Sequence, residues 1–232
     1  MSIEDADTQR AELLERWERN AAGWGARAEG LRDMGMPVSL WMLDSLALQP
    51  GQRVLELAAG PGDTGFLAAE LIRPGGGLIS SDAAEAMIDV ARARAATMGV
   101  ENVEFKRLEL EWIDLPTASV DALLCRWGLM FALDPGAALS EFRRVLRPGG
   151  RVALAAWDAA EHNPWATLPT RALMEHGHVE PPDPAAPGPF ALSAPGMLRE
   201  LLQSAGFTDV VLDTVEVARS GLTVEEFIEL LK

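Results

Sequence analysis

A glycine-rich turn after a short apolar segment contains the residues most suited to binding a ligand. Residues 53–62 read RVLELAAGPG, and a segment suited to a helix begins near Asp63. Gly60 and Gly62 have no Cβ to separate the backbone from a ligand, and the free N–H groups of a helix start point toward the same place. This pattern of strand, turn and helix predicts a ligand-binding site.

An acid lies just before the turn. Glu56 precedes Gly60 by four residues, inside a segment suited to a buried strand. Burial of a carboxylate is costly unless the group has a partner, and a ligand ammonium group would supply one. The alternative is that Glu56 caps the N-terminus of a neighbouring helix. Gly60, Gly62 and Gly65 also match the G-x-G-x-x-G spacing, which leaves a dinucleotide cofactor open.

A second acid ends the next predicted strand, at residues 78–81. Asp82 follows Gly62 by 20 residues. At that separation the second strand of a nucleotide-binding αβ unit holds both ribose hydroxyls, so adenosine recognition is expected. The alternative is that Asp82 is the N-cap of the helix predicted over 85–98.

Alternating strand and helix patterns predict an α/β fold with a mostly parallel sheet. We expect strands at 53–57, 78–81, 103–108, 120–125, 151–157 and 209–217. Helices are expected at 64–72, 85–98, 134–146, 166–176, 197–205 and 225–231. In such a sheet the ligand lies beyond the carboxyl ends of the strands. Polar residues fall at or near these ends: Glu56, Asp82, Glu109, Arg126 and Asp158.

Two further regions flank this core. Residues 1–50 predict a helical lid, in which the first helix places four apolar residues on one face and a second helix, over 38–48, turns Leu40 inward. The alternative is that the first helix only covers the sheet. Residues 158–196 are rich in proline and contain all three histidines, which predicts a cap. The core would comprise 51–157 and 197–232. The apolar face of the first helix is formed by Leu13, Trp17, Ala21 and Trp24.

The amino-acid composition limits the kinds of molecule that the chain can bind. The chain has 232 residues, a formal charge of −15 and a pI of about 4.6. Nucleic acid and anionic membrane surfaces would repel it, so a small or neutral molecule is expected. A single cysteine, Cys125, predicts a buried thiol in a reducing cytoplasm. We expect neither a membrane span nor a signal peptide, and a homo-oligomer stays open.

Four segments, VLELAAGPGDTG, SSDAAEAMIDVAR, LELEWIDLP and SVDALLCRWGLMF, resemble in order the motifs of the class I S-adenosylmethionine-dependent methyltransferases. EFRRVLRPGGRVALAAW is also close to that family's turn before strand five. The likeness covers about residues 50–157 and is strongest to the small-molecule group that includes the ubiquinone and menaquinone biosynthesis enzymes. It implies a Rossmann-like, doubly wound sheet, S-adenosylmethionine as cofactor, a small-molecule methyl acceptor and no metal. The family sheet has seven strands, of which six are counted here.

The same resemblance implies the roles of individual residues. The acid and the glycine turn would hold the methionine end of the cofactor, Asp82 the ribose, and Met87, Glu109 and the Leu110 backbone the adenine. Arg126 would flank the methionine end. Ala58 stands where the family commonly has glycine, and Glu109 where it often has aspartate. The implied cofactor-binding residues are Glu56, Ala58, Gly60, Gly62, Asp82, Ala83, Met87, Glu109, Leu110 and Arg126.

Methyl transfer from a sulfonium is an in-line displacement with a neutral leaving group, so positioning does most of the work. A hydroxyl acceptor needs a base, for which Asp158 and His162 are the candidates, whereas an activated carbon or an amine needs none. Flat apolar rings would bind the acceptor, and we assign Trp24, Trp127 and Trp157 to it. The acceptor atom stays open among O, C and N. Two alternatives remain: a nicotinamide-dependent oxidoreductase, and a cofactor-binding protein without activity.

Overall fold

A five-stranded parallel sheet forms the centre of the molecule. The computed structural model describes residues 3–180 and 186–217. The strands are β1 (Arg53–Glu56), β2 (Gly77–Asp82), β3 (Val103–Arg107), β4 (Val120–Arg126) and β5 (Leu146–Ala155). Their order is β3-β2-β1-β4-β5, and every neighbouring pair is parallel. The predicted α/β, Rossmann-like sheet is confirmed. Because the strand order reverses between β1 and β4, a ligand cleft is expected at their carboxyl ends.

Helices cover both faces of the sheet. They are α1 (Ile3–Ala26), α2 (Ala28–Leu46), α3 (Asp63–Leu71), α4 (Glu85–Met98), α5 (Pro135–Val145), α6 (Pro164–Glu175) and α7 (Met197–Ser204). Successive residues of β1 point to opposite faces, so Leu55 packs with Phe142 of α5 and Leu202 of α7, whereas Val54 packs with Met42 of α2 and Phe66 of α3. The doubly wound arrangement follows. None of the described helices is long and apolar enough to cross a membrane.

The N-terminal helix packs on α4 beside the sheet. Ala21 and Met87 are buried together, with Trp17 and Trp24 partly buried around them. The Glu18 carboxylate accepts hydrogen bonds from the first two N–H groups of α4, at 2.8 and 3.0 Å. These N–H groups have no partner inside their own helix, so α1 caps α4. The predicted apolar face is therefore used for packing.

Several predicted elements differ from the structure. The second helix begins at Ala28 instead of residue 38, because it continues through Pro37, and Leu40 is 51% exposed while Met42 is fully buried. Residues 209–217, predicted as a strand, have no regular secondary structure. Val211 is 74% exposed, and Val215 and Val217 are only partly buried against the core, so the alternating pattern there has no fully buried face that would fix a strand. The helix predicted over 225–231 lies outside the described residues.

Other boundaries agree to within a few residues. The fifth strand begins at Leu146 and ends at Ala155, whereas 151–157 was predicted, and its pairing with β4 shifts register between Val120 and Ala122. Asp134 caps α5, since its Oδ1 accepts from the Ala137 N–H at 2.9 Å, and Pro135 follows at the first helical position. In the predicted cap, α6 has no buried residue.

Candidate functional site

A cleft of 2370 Å³ borders the carboxyl ends of the strands. Residues of α1, α2, the turns after β1, β2 and β4, and the region after β5 line it. Fourteen of the fifteen residues that the sequence assigns to the site lie on its wall, and Gly62 does not. They are Trp24, Glu56, Ala58, Gly60, Asp82, Ala83, Met87, Glu109, Leu110, Arg126, Trp127, Trp157, Asp158 and His162.

The glycines of the turn serve different purposes. Gly60 has φ +52°, and a Cβ built there would meet no atom of the described residues within 4 Å, so this backbone is open to the cleft. Gly62 has φ +88° and is the N-cap of α3. A Cβ on Gly62 would overlap the ring of Phe66, so this glycine is required for packing under the turn. The sequence pattern did not distinguish the two roles.

Ala58 occupies a backbone conformation that favours glycine. Its φ is +50°, in the left-handed region, which costs an L-residue roughly 1–2 kcal/mol. The strand-end neighbour Gly128 makes room for the extra methyl group: a Cβ on Gly128 would lie 2.5 Å from the Ala58 Cβ. Gly128, which follows the end of β4, thus allows alanine at position 58, where the family motif commonly has glycine.

Glu56 is buried at the end of β1 and caps α3. Its side chain is 3% exposed, and Oε1 accepts the Gly65 N–H at 2.8 Å. A Cβ on Gly65 would overlap the carboxylate, which explains the third glycine of the motif. Oε2 has no hydrogen-bond partner among the described residues. Burial raises the pKa of Glu56 from 4.5 to about 8, against the lowering by the Gly65 N–H and by Arg126. Glu56 therefore caps a neighbouring helix, as the alternative interpretation of the sequence expected, and Oε2 stays available to a ligand.

Asp82 joins the end of β2 to the glycine turn. Oδ2 accepts the Gly60 N–H at 3.0 Å, and Oδ1 accepts the Ala84 N–H at 3.1 Å. The helix-cap alternative is wrong, because Glu18 caps α4 and Ala84 is the N-cap residue. Burial raises the pKa of Asp82, partly offset by these N–H groups. Each carboxylate oxygen retains a lone pair for a ligand hydroxyl.

A chain of alternating charges lies under the turn, and the sequence did not indicate it. Asp63, at the start of α3, forms an ion pair with Arg94 of α4 at 2.7 Å and lies 3.8 Å from Arg126. Arg94 also donates to the Pro61 carbonyl at 2.5 Å. The Arg126 guanidinium carbon lies 4.4 Å from the Trp127 ring centre, and burial lowers the Arg126 pKa. Nη1 of Arg126 has no hydrogen-bond partner in the described part of the chain.

Aromatic rings form two groups on the cleft wall. Trp127 and Trp157 stack with centres 4.6 Å apart at 12°, and Trp157 meets Trp165 edge-on at 5.1 Å and 60°. We call Trp127, Trp157 and Trp165 the tryptophan wall. On the lid side Trp17 contacts Trp24 at 6.1 Å and Phe131 at 5.0 Å. Trp165, Trp17 and Phe131 were missed as site residues, although tryptophan content was the signal that indicated their neighbours.

At the other end of the cleft, Glu109 follows β3. Its Oε2 lies 3.6 Å from Arg10 Nε of α1, and both side chains are more than 40% exposed. Leu110 lies beside it on the wall, and Met87 is buried against α1. These residues surround the space where the resemblance expects the adenine.

Next to the tryptophan wall, His162 Nδ1 and Asp158 Oδ2 are 2.8 Å apart. Both side chains are more than half exposed. The hydrogen bond raises the pKa of His162 and lowers that of Asp158.

The parallel sheet, the open glycine turn and the acids at the ends of β1 and β2 form an arrangement that is typical of α/β folds that bind cofactors with a nucleoside. A family model described as a methyltransferase domain matches residues 48–182, and the chain belongs to this family. The resemblance stated from the sequence motifs is confirmed.

Individual relatives are similar over part of their length. The chain is 32% identical over 179 residues to an arsenite methyltransferase of Halobacterium salinarum, covering 77% of this chain and 42% of that protein. It is 33% identical over 111 residues to the ubiquinone/menaquinone biosynthesis C-methyltransferase UbiE of Hahella chejuensis, covering 47% and 45%. The chain thus spans less than half the length of these curated relatives.

Among solved structures, a SAM-dependent methyltransferase from Aquifex aeolicus has the same fold. The TM-score is 0.63 at 22% identity, over 83% of this chain and 92% of that one.

Proposed function

We propose that the chain binds S-adenosylmethionine in the cleft and transfers its methyl group to a small, largely apolar molecule. The observation that carries this proposal is the corner formed by Gly60 and Asp82: an open glycine turn whose N–H group holds the acid of the next strand. This corner lies within the segment that the methyltransferase family model matches. A cytoplasmic location is proposed from the single, buried Cys125.

The residues of the cleft fit the cofactor chemically. One carboxylate oxygen of Glu56 has no hydrogen-bond partner within residues 3–180 and 186–217 and would accept from an ammonium group, and Asp82 keeps lone pairs for ribose hydroxyls. Met87, Glu109 and Leu110 would hold the adenine, with Ala58, Ala83 and Gly62 shaping the turn. Nη1 of Arg126, which has no hydrogen-bond partner among the residues that the structure describes, would lie beside the methionine end. When bound, the cofactor supplies an electrophilic methyl group on a sulfonium that leaves as a neutral thioether.

The acceptor side supports an apolar molecule. Trp24, Trp127 and Trp157 are partly buried on the wall, and the strongly negative chain would repel an anionic polymer. The names of the relatives, which include an arsenite and a ubiquinone/menaquinone methyltransferase, span unlike acceptors. They therefore do not select one.

Calorimetric titration of the purified chain tests the cofactor. S-adenosylmethionine, S-adenosylhomocysteine and NADH are titrated side by side. Binding of the first two alone is expected. Binding of NADH alone would instead support the oxidoreductase alternative, and binding without methylation of any acceptor would support the inactive one.

Matched glycine variants test the turn. Gly60→Ala should weaken S-adenosylmethionine binding by about tenfold or more, because its methyl group enters the open space at the turn. Gly99→Ala is the control: Gly99 also has a positive φ, +70°, with open space around its Cβ, but it ends α4 away from the cleft wall. Both variants carry the same kind of backbone strain. Equal affinities in the two variants would contradict the assignment.

Asp82→Ala tests the ribose contact. Loss of charged hydrogen bonds should weaken cofactor binding by about 1–3 kcal/mol. Unchanged affinity in a folded variant would show that Asp82 only braces the turn.

A further inference from the structure

A base and a flat aromatic surface lie together just after β5. Trp157 and Asp158 follow the end of the strand at Ala155, His162 ends a short 3-10 turn, and Trp165 lies in the first turn of α6. All four side chains line the same cleft as the glycine turn. This part of the wall is therefore placed to contact an acceptor.

We propose that the acceptor is a flat aromatic molecule with an acidic hydroxyl group, a phenol or an enol, and that His162 removes the hydroxyl proton. The proposal rests on the methyltransferase function proposed above and narrows it to O-methylation. Trp157 and Trp165 would contact the aromatic ring, and Asp158 would position His162.

The hydrogen bonds around Asp158 fix the histidine tautomer. Oδ1 of Asp158 accepts the Ala159 N–H at 2.7 Å, and Oδ2 faces His162 Nδ1 at 2.8 Å. Because a carboxylate only accepts hydrogen bonds, the proton of neutral His162 lies on Nδ1 and Nε2 keeps its lone pair. The buried Asn163 side chain donates to the carbonyls of Asp158 and Ala159, at 3.0 Å each, and holds the loop. Nε2 is thus the basic atom.

Charges around His162 favour its role as a base. Asp158 is the group within ion-pair distance in the described part of the chain, and Glu161 adds a weaker attraction for the protonated ring. On the adjoining α6, Arg171 and Glu175 form no ion pair with His162. Both acids stabilise the imidazolium that forms when His162 takes a proton.

The tryptophan wall favours a planar ring over a saturated one. Trp127 is covered by the Arg126 guanidinium on one side and stacks on Trp157. Trp157 and Trp165 meet at 60° and form a corner, and Trp165 is 44% exposed. The exposed part of Trp165 is therefore open to an aromatic ring, which pairs with another ring in an offset-stacked or edge-to-face arrangement.

The transfer step balances without another reactant. The acceptor hydroxyl gives its proton to His162 Nε2, and an oxygen lone pair forms the new bond to the methyl carbon. The carbon–sulfur bond breaks at the same time, and its electron pair stays on the departing sulfur. The proton on His162 then passes to solvent, which the exposed ring permits.

Binding of matched probes tests the acceptor surface without turnover. Naphthol and decalol, its saturated counterpart, are titrated calorimetrically into protein saturated with S-adenosylhomocysteine. Naphthol is expected to bind more tightly than decalol. Trp165→Leu should weaken the binding of naphthol by at least about fivefold. The control Trp112→Leu should have no effect, because Trp112 is 77% exposed and lies off the cleft wall. Absence of naphthol binding, or equal effects of the two variants, overturns the proposal.

Activity assays test the base. Naphthol should give its methyl ether with S-adenosylmethionine, and any methylation of naphthylamine should be unchanged in His162→Gln, because an amine needs no base. His162→Gln should lower kcat for naphthol by about 10²-fold or more, with S-adenosylmethionine affinity unchanged. The control His176→Gln, at the end of α6 and off the cleft wall, should keep full activity. A nitrophenol that is already ionised at the assay pH should be methylated equally by His162→Gln and the wild type, since it has no proton to lose.

Three further outcomes overturn the inference: no methyl ether from naphthol although another acceptor is methylated, full activity of His162→Gln on naphthol, or equal losses on naphthol and nitrophenol. The pH profile adds a check. The wild-type rate should fall at low pH as His162 becomes protonated, and Asp158→Asn should move that fall to lower pH. Failure of the proposed function would look different, because S-adenosylmethionine and its product would not bind, or would bind without methylation of any acceptor.

Discussion

Replacement of Glu56 by glutamine should change how the stability of the protein depends on pH. In the wild type the Gly65 N–H donates to Glu56 Oε1 at 2.8 Å. Glutamine keeps an oxygen that can accept this N–H but has no group that titrates. In the folded chain burial raises the Glu56 pKa from 4.5 to about 8. Between these two values folded Glu56 holds a proton that the unfolded chain has lost.

The difference between the folded and unfolded pKa of Glu56 sets the sign and size of its effect on the free energy of unfolding. Folding takes up a proton between pH 4.5 and about 8, so the Glu56 contribution to stability is fully present below pH 4.5 and is lost as pH rises toward 8. At 1.36 kcal/mol for each pH unit, the loss is about 5 kcal/mol. Glu56→Gln lacks this loss. Its free energy of unfolding should exceed that of the wild type by up to about 5 kcal/mol at pH 8 and by little at pH 4.5.

Urea unfolding followed by tryptophan fluorescence measures both proteins across this range. The difference between the two free energies isolates Glu56, because Asp82 and the other titrating groups are common to both. Low pH is the internal control, since both side chains at position 56 are uncharged there. A difference that stays constant with pH, or that favours the wild type as pH rises, would refute the reasoning and show that Arg126 compensates for burial.

Further predictions concern residues around the glycine turn. Binding of S-adenosylmethionine near pH 7 should release up to about one proton from Glu56, because a ligand ammonium group favours the carboxylate; calorimetry in buffers of different ionisation enthalpy counts it, and zero release contradicts the contact. Arg94→Met should lower stability by roughly 3 kcal/mol, because it leaves the Asp63 carboxylate buried beside a more distant arginine; urea unfolding measures this, and a neutral effect would show that the pair is unimportant. Gly128→Ala should cost about 1–3 kcal/mol by overlap with the Ala58 methyl group, and the added change Ala58→Gly should recover part of it; simple additivity in thermal unfolding would refute the contact.

The parallel sheet and the position of the cleft could be predicted because both follow from local patterns. Apolar strands, glycine turns and helix starts repeat along residues 53–155, and parallel strands bring their carboxyl ends to one edge. The acids Glu56 and Asp82 were found for this reason. Their hydrogen bonds to the backbone also follow from their places at strand ends.

Contacts between distant helix positions could not be predicted. Arg94 meets Asp63 across 31 residues, and a helical arginine between alanines carries no signal of a buried partner. The start of α2 was missed because Gly35 and Pro37 normally interrupt helices. Gly35 is used instead for packing, since a Cβ there would overlap the Arg126 guanidinium. Tertiary packing outweighs helix propensity at this position.

Because Glu18 caps α4, we expect the first helix to unfold in one cooperative unit with the core. The carboxylate holds the N–H groups of Glu85 and Ala86, three and four residues after Asp82. A chain shortened to begin at residue 50 would therefore expose the first turn of α4, and that turn adjoins the corner formed by Gly60 and Asp82. We expect α1 and α4 to exchange their amide hydrogens together. The boundary between lid and core near residue 50 is then a change in the sequence pattern only. We expect the two regions to unfold together.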